Sequence, residues 1–111
     1  MKYQVVALRR AEGDVRHISR WLFERSPSGA LAWLSAYERL INQLGEYADT
    51  YPAALERSDS AIPLKEALFR TRRGNTYRAV FTIVQDEVRI LRVRGPGQPP
   101  LQDDEIVGSA E

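Results

Sequence analysis

The chain has 111 residues, a formal net charge of +1 and no cysteine, so it is expected to form one domain without disulfides, thiol catalysis or a cysteine-based zinc site. His17 is the single histidine, which excludes a multi-histidine metal site, and we expect neither a metal nor a cofactor. No apolar run approaches the length of a membrane span and no secretory signal is visible, so the sequence predicts a soluble, cytoplasmic protein.

The first half of the chain predicts a strand followed by two helices. Residues 3–8 are rich in β-forming side chains, and residues 9–13 are expected to break this strand. A helix is predicted from about residue 12 or 14 to residue 25, because Val15, Ile18 and Leu22 recur at helical spacing. The Ser-Pro-Ser sequence at residues 26–28 should end it, with Ser28 as the N-cap of a second helix whose apolar residues extend to Leu44. The short connection predicts an antiparallel helical hairpin.

The second half predicts an antiparallel meander after a long polar loop at residues 45–63. Strands are expected at residues 66–72, 76–84 and 88–94, with turns at residues 73–75 and 85–87. The fold class is therefore α+β, in the order β-α-α-β-β-β, with an antiparallel sheet that carries the helical hairpin on one face and is open on the other. Residues 1–97 should form the domain. Residues 98–111 should form an acidic tail, either flexible or docked on a partner.

Basic residues are concentrated in the predicted meander. Residues 65–94 contain eight basic and three acidic side chains, a net charge of +5. If Arg78 lies opposite Arg94, side-chain alternation places Tyr77, Phe81, Leu91 and Val93 under the helices. The arginines predicted to share the open face are Arg70, Arg72, Arg78, Arg92 and Arg94, with Arg73 in the adjacent turn.

Two interpretations of these arginines are open. Opposed like charges destabilise a sheet by up to roughly 1 kcal/mol per pair, so five arginines on one face indicate an anionic partner, either phosphates or the carboxylates of an acidic peptide. A slip of one residue in register would instead disperse them. Dispersed arginines would be solvated side chains whose stems cover apolar surface.

The ordered set of residues resembles the RelE/ParE superfamily of type II toxin–antitoxin toxins, over roughly residues 3–97. The residues that carry the resemblance are Asp14, Val15, Ile18, Ser26, Pro27, Ala30, Trp33, Leu44, Pro52, Tyr77-Arg78-Ala79-Val80-Phe81 and Ile90-Leu91-Arg92-Val93-Arg94.

The resemblance implies a small toxin that a cognate antitoxin protein neutralises. In the RelE-like branch the toxin cleaves mRNA at the ribosome, and basic residues on the open sheet face bind the phosphates and stabilise the transition state. Arg78 matches the arginine of the family's Tyr-Arg strand motif, and Arg70 and Arg72 match the alternating basic pair of the preceding strand. With Arg94, these would be the catalytic residues of an endoribonuclease. The nucleic-acid-binding set would be Arg70, Arg72, Arg73, Arg78, Arg92 and Arg94.

The ParE-like branch shares the fold, and its known targets are DNA gyrase. This chain departs from the ribonuclease branch because residues 95–98 are Gly-Pro-Gly-Gln, where those enzymes often carry His, Tyr, Lys or Arg. RNA cleavage needs a base and an acid, and arginine is a poor base. His17 is predicted to be a surface residue, Tyr77 should point into the core, and Glu66 is a weak candidate base. The alternatives are an mRNA-cleaving toxin, a non-enzymatic inhibitor of gyrase, and a decayed toxin that only binds its antitoxin.

Overall fold

The computed structural model describes residues 2–56 and 62–110. Part of the predicted polar loop, residues 57–61, and the last residue of the tail lie outside this range. The elements in chain order are β1 (Gln4–Ala7), α1 (Arg9–Arg25), α2 (Pro27–Tyr47), a 3₁₀ turn (Ala48–Thr50), β2 (Lys65–Phe69), β3 (Tyr77–Val84), β4 (Glu87–Arg94) and α3 (Asp103–Ser109).

The four strands form one sheet in the order β1-β4-β3-β2. β2, β3 and β4 make the predicted antiparallel meander, and β1 joins the edge of β4 in parallel, so the sheet is mixed. The predicted α+β class and the β-α-α-β-β-β order of the domain are confirmed. In addition, the tail contributes a short third helix.

The boundaries of the two long helices differ from the predicted ones at their N-termini. Residues 9–13 continue the chain directly into α1, because the N–H of Glu12 already bonds the carbonyl of Leu8. At the start of α2, Pro27 occupies the first turn, where its missing N–H is not needed. Ser26 rather than Ser28 is the N-cap, since its Oγ accepts the N–H of Gly29 at 3.1 Å.

This cap predicts that alanine substitutions at Ser26 and Ser28 have different effects on the free energy of unfolding. We expect Ser26→Ala to lower the free energy of unfolding by about 1 kcal/mol, because a free N–H group at the start of α2 loses its acceptor. Ser28→Ala is the matched control and should change it by less than about 0.5 kcal/mol. Urea denaturation of both variants checks the assignment, and a larger loss in Ser28→Ala would contradict it.

The main core lies between the helical hairpin and the first face of the sheet. Its aromatic centre is Trp33, which stacks with Tyr37 at 6.0 Å between ring centroids and meets Tyr77 edge-on at 5.4 Å. Phe81 from β3 is fully buried in the same cluster. The apolar residues of α1 and α2 recur at helical spacing because these are the residues that pack against the apolar face of the sheet.

A β-bulge in the β3–β4 pair changes one predicted side-chain direction. Arg78 lies opposite Arg94 as predicted, but the register shifts between Val80 and Phe81. Leu91 therefore lies in the cluster on the second face, and Ile90 takes its place under the helices. The extra residue arises because β3 and β4 are joined by the two-residue turn at residues 85–86 rather than by the predicted three residues.

The second face of the sheet, opposite the helical hairpin, is not open. α3 and the segments at residues 54–56 and 62–64 cover it, and a second apolar cluster forms there. The members of this cluster are Leu64, Val80, Leu91, Leu101 and Ile106, with Leu8, Ala54 and Ile62 packed against it. The expectation of an exposed arginine face is therefore wrong. This face is covered because Leu101 and Ile106 of the tail bury their apolar side chains against it. No helix in the described part of the chain is long and apolar enough to cross a membrane.

Candidate functional site

The structure divides the six predicted site arginines into two groups. Three lie on the second face of the sheet and are called here the sheet arginines: Arg78, Arg92 and Arg94. Three lie beyond the end of β2, in the connection to β3, and are called the turn arginines: Arg70, Arg72 and Arg73. The predicted convergence of five arginines on one sheet face is not observed, because β2 ends at Phe69 instead of residue 72.

Arg78 is held by two carboxylates of the chain itself. Its Nη1 donates to Glu56 Oε1 at 2.8 Å, and its Nη2 donates to Glu56 Oε2, so the pair is bidentate. Glu66 adds a second carboxylate 3.6 Å from Nη1. Glu56 is only 8% exposed and also accepts the N–H of Leu101 at 2.9 Å. This carboxylate therefore joins β3 to the tail.

The ionisation of this pair is set by competing effects. Burial alone would raise the pKa of Glu56, but the hydrogen bonds from Arg78 and from the Leu101 N–H outweigh it, so the pKa is lowered. The hydrogen bond to Glu56 raises the pKa of Arg78. Both groups are therefore charged at neutral pH, and the guanidinium is already satisfied by an internal anion.

Arg92 has an equivalent partner in the first helix. Its Nε donates to Asp14 Oδ2 at 2.8 Å and its Nη2 to Asp14 Oδ1 at 2.9 Å. Asp14 also accepts the backbone N–H of Val93 at 2.9 Å, so one carboxylate fixes α1 against β4. The hydrogen bond to Asp14 raises the pKa of Arg92. Asp14, one of the residues that carry the family resemblance, is thus the internal counter-ion of Arg92, which was predicted to bind nucleic acid.

Arg94 lies beneath the tail and is 7% exposed. Its Nη2 donates to the carbonyl of Pro99 at 2.8 Å. Glu105 of α3 approaches both Arg94 and Arg92, with Oε2 3.9 Å and 3.8 Å from their respective Nη1 atoms. Within the described residues, the buried Nε of Arg94 has no hydrogen-bond partner. The acidic tail therefore supplies a carboxylate to this arginine, but at a longer distance than those at which Glu56 and Asp14 contact Arg78 and Arg92.

The turn arginines have a different environment. Arg70, Arg72 and Arg73 are all exposed. Arg73 lines a shallow cavity together with Trp21, whose ring is half exposed and carries the guanidinium of Arg25 at 3.6 Å from its centroid. This end of the molecule therefore presents fixed positive charge beside an accessible aromatic side chain.

The candidate proton-transfer groups are not placed for acid–base chemistry at the sheet arginines. His17 is exposed on α1. Tyr77 is buried in the aromatic core, as predicted, and burial raises its pKa. Glu66 accepts the N–H of Leu55 at 2.9 Å and faces Arg78. In the part of the chain that the structure describes, no group of three or more acidic or histidine side chains could hold a metal ion.

The helical hairpin on a four-stranded mixed sheet defines a RelE/ParE-like fold. Among solved structures, the chain is similar to one described as the chromosomal ParDE TA system from P. aeruginosa. The TM-score is 0.64 at 17% sequence identity, over 85% of this chain and 96% of that chain. At this identity the similarity shows the fold alone, and that fold is the one that the resemblance found in the sequence implies. No protein-family model and no curated protein sequence matches the chain.

Proposed function

We propose that this chain is the toxin of a type II toxin–antitoxin system, neutralised by a cognate antitoxin protein, and that it acts by binding a protein target. The fold similarity to a ParDE system supports the toxin class. The observation that carries the mode of action is the internal pairing of the sheet arginines with Glu56, Asp14 and Glu105. The target that the resemblance implies for a ParE-like toxin is DNA gyrase.

Cleavage of RNA would make demands that this arrangement does not meet. A phosphate would have to displace Glu56 from Arg78, and this displacement would leave the carboxylate of a side chain that is 1% exposed without its counter-ion. A general base would also have to reach the attacking hydroxyl, and Glu66 is already engaged by Leu55 and Arg78. Protein binding requires neither change.

The turn arginines are the surface that we propose for contact with the target. They are exposed and positively charged, and Trp21, which lines a shallow cavity together with Arg73, offers an aromatic anchor. Arginine and tryptophan are the side chains that most often dominate the energy of protein interfaces. An acidic surface on the target would complement this end of the molecule.

The second candidate is ribosome-dependent mRNA cleavage through Arg70, Arg72, Arg78 and Arg94. One observation favours it: Arg78 and Arg94 are opposite one another in the β3–β4 register, which is the convergence that phosphate binding requires. It would require the tail and Glu56 to leave the second face before RNA could bind.

The two candidates are separated by expressing the full chain from a tightly repressed promoter and pulse-labelling DNA and protein synthesis. We expect DNA synthesis to fall first, and we expect the purified protein to inhibit supercoiling by gyrase. The paired variant Arg78→Met with Glu56→Gln should remain toxic, because it removes a guanidinium that the target does not contact. An early fall in protein synthesis with transcripts cut at the ribosome, abolished in the paired variant, would establish RNA cleavage instead.

Charge-matched variants test the contact surface. Replacing the three turn arginines with alanine should weaken inhibition of gyrase by about tenfold or more. The control removes three exposed arginines from the helices and should leave inhibition within about twofold of wild type. The control residues are Arg16, Arg20 and Arg39. Equal effects of both variants would exclude the turn arginines as the contact surface. A folded wild-type protein that affects neither growth nor gyrase would leave only antitoxin binding.

A further inference from the structure

Arg73, one of the turn arginines, lines a cavity of about 280 Å³ between the helical hairpin and the turn that joins β2 to β3. We propose that this cavity, called here the turn cavity, takes one apolar side chain of the protein target, on a segment that carries acidic residues on either side of it. This inference rests on the proposed function, in which the turn arginines contact the target, and it adds the chemistry of the target segment.

The apolar walls of the turn cavity come from both long helices and from the sheet. They are formed by Trp21 and Leu22 of α1, Trp33 of α2 and Tyr77 of β3. Trp33 and Tyr77 are buried and meet edge-on, with 5.4 Å between their ring centroids, so the aromatic core fixes this side of the cavity. Because these walls are already in place, a side chain that enters the cavity does not have to order them.

Trp21 is the exposed wall of the turn cavity, and Arg25 holds it in position. Trp21 is 47% exposed. The guanidinium of Arg25 lies 3.6 Å from the centroid of the Trp21 ring, and its Nη1 donates to the Trp21 carbonyl at 2.9 Å. An exposed ring that is held in this way loses little conformational freedom when a partner binds.

The turn on the rim of the cavity is also constrained. The N–H of Gly74 donates to the carbonyl of Thr71 at 3.2 Å, which places Arg72 and Arg73 at the two corners of a β-turn. A Cβ at residue 74 would overlap Thr71 Oγ1, so a larger residue would force the turn to shift. The backbone therefore fixes where the two exposed arginines start from the rim.

The size and the charge of the turn cavity indicate what it takes. Its volume of about 280 Å³ lies below the roughly 300–1,000 Å³ of most cofactor and small-molecule sites. The residues that line it include Arg73 but no acidic side chain. An apolar side chain with carboxylates on either side therefore complements both the walls and the rim. Anchors that fill such a pocket are the residues that dominate the energy of protein interfaces.

A nucleobase fits the turn cavity less well than a side chain does. Proteins that bind single-stranded nucleic acid present exposed aromatic planes on which successive bases stack. Here Trp33 and Tyr77 are buried, and the ring of Trp21 already carries the guanidinium of Arg25. The cavity therefore offers enclosed walls rather than a stacking surface.

The first test titrates three blocked pentapeptides into the full-length wild-type protein. The peptides are Asp-Asp-Phe-Asp-Asp, Asp-Asp-Ala-Asp-Asp and Lys-Lys-Phe-Lys-Lys, and ¹⁵N NMR spectra follow the indole N–H of Trp21 and the amide N–H of Gly74. We expect the first peptide to shift both resonances and to bind at least about tenfold more tightly than either of the others. Only this peptide supplies the apolar side chain together with the flanking carboxylates.

Each outcome of the titration decides the proposal. Equal binding of the phenylalanine and alanine peptides would overturn it, because the protein would then recognise charge alone. Equal binding of the lysine peptide, or no shift with any peptide, would overturn it as well. Shifts caused by a 20-nucleotide polyuridine RNA but not by the first peptide would overturn it in favour of a nucleobase site. Shifts that appear when the protein alone is concentrated would overturn it by assigning the cavity to a second copy of the chain.

The second test asks whether the target uses the turn cavity. Trp21→Ala opens the exposed wall and should weaken inhibition of gyrase at least about tenfold, whereas Trp21→Phe keeps an aromatic wall and should stay within about threefold of wild type. The matched control is Phe23→Ala, which removes an aromatic residue that is 57% exposed on the same helix but lines a different groove. It should stay within about twofold of wild type.

The two tests separate failure of this inference from failure of the proposed function. Inhibition by folded Trp21→Ala equal to that by wild type would overturn the assignment of the cavity and leave gyrase as the target. Absence of inhibition by wild type would overturn the proposed target instead. The peptide titration needs neither gyrase nor a variant, so it decides the chemistry of the cavity in either case.

Discussion

Replacing Arg78 with alanine is expected to lower the free energy of unfolding by about 3–5 kcal/mol, because it leaves the buried Glu56 carboxylate without its counter-ion. The Glu56 side chain is 1% exposed in this pair, and the remaining hydrogen bond from the Leu101 N–H cannot balance a full charge. A loss of this size approaches the whole stability of a small domain. Urea denaturation measures it directly.

The control variant removes both charges of the pair, the guanidinium of Arg78 and the carboxylate of Glu56. Arg78→Met combined with Glu56→Gln removes the charge at residue 56, which has the more buried of the two carboxylates beside Arg78. This double variant should therefore be more stable than Arg78→Ala by about 2 kcal/mol or more, since Glu66 loses its cation in both variants. A double variant no more stable than Arg78→Ala would show that the arginine acts through its packing. The comparison also matters for function, because loss of toxicity in Arg78→Ala alone would report unfolding.

The pH dependence of the same pair gives an independent readout. Folding lowers the pKa of Glu56, so the folded chain binds this proton more weakly than the unfolded chain. The contribution of the pair is therefore complete above the ordinary glutamate pKa of about 4.3 and is lost as the pH falls through the lower folded-state value. The free energy of unfolding of wild type should accordingly fall relative to that of the double variant as the pH is lowered through this range. A constant difference across that range would contradict the assignment.

The sequence predicts the elements well where apolar periodicity is strong. The stripe from Ala30 to Leu44 matches the observed inner face of α2, and the alternation in β3 places Tyr77 and Phe81 correctly in the core. Both patterns arise because each element buries one face against the other. The cap of α2 is less well determined, since Ser26 and Ser28 are both good capping residues and only the backbone geometry selects Ser26.

The bulge in β4 shows where alternation stops being informative. Residues 88–91 are Val-Arg-Ile-Leu, and adjacent Ile90 and Leu91 can each serve as the core residue. Either choice buries one apolar side chain under the helices, so composition does not distinguish the registers. The two-residue turn and the second apolar cluster decide it, because the bulge lets Ile90 and Leu91 be buried on opposite faces.

The counter-ions of the sheet arginines were missed because they come from distant parts of the chain. Asp14 and Arg92 are 78 residues apart, and Glu56 and Arg78 are 22 residues apart across a long connection. A charged residue in a loop or an early helix gives no local sign of such a partner.

The helix in the tail, in contrast, has a recognisable sequence pattern. It combines the apolar residues Leu101 and Ile106 with a Gln102-to-Glu105 spacing, in which Glu105 accepts the Gln102 N–H at 3.0 Å. This spacing is typical of a helix start.

Replacing Asp14 with alanine is the second change expected to have a large effect. Asp14 accepts two hydrogen bonds from Arg92 and one from the Val93 N–H, and Val93 is buried. The variant leaves a partly buried guanidinium and a buried N–H without an acceptor, and we expect a loss of about 2–3 kcal/mol in the free energy of unfolding. The loss should be smaller than for Arg78→Ala, because Asp14 and Arg92 keep 17% and 16% of their side-chain exposure, so water can partly replace the bond.

Two further variants identify the cause of that loss. Glu12→Ala removes an exposed acidic residue from the first turn of the same helix. It should lower the free energy of unfolding by no more than about 1 kcal/mol, which is the contribution of a favourable charge at the start of a helix. Asp14→Asn keeps an acceptor for the Val93 N–H but loses the charge-assisted pair, so its stability should lie between those of wild type and Asp14→Ala. If Asp14→Ala were as stable as Glu12→Ala, the contact between α1 and β4 would rest on apolar packing alone. Arg92 would then be free to bind an anion. The argument against RNA binding at this face of the sheet would rest on two internal carboxylates, those of Glu56 and Glu105, instead of three.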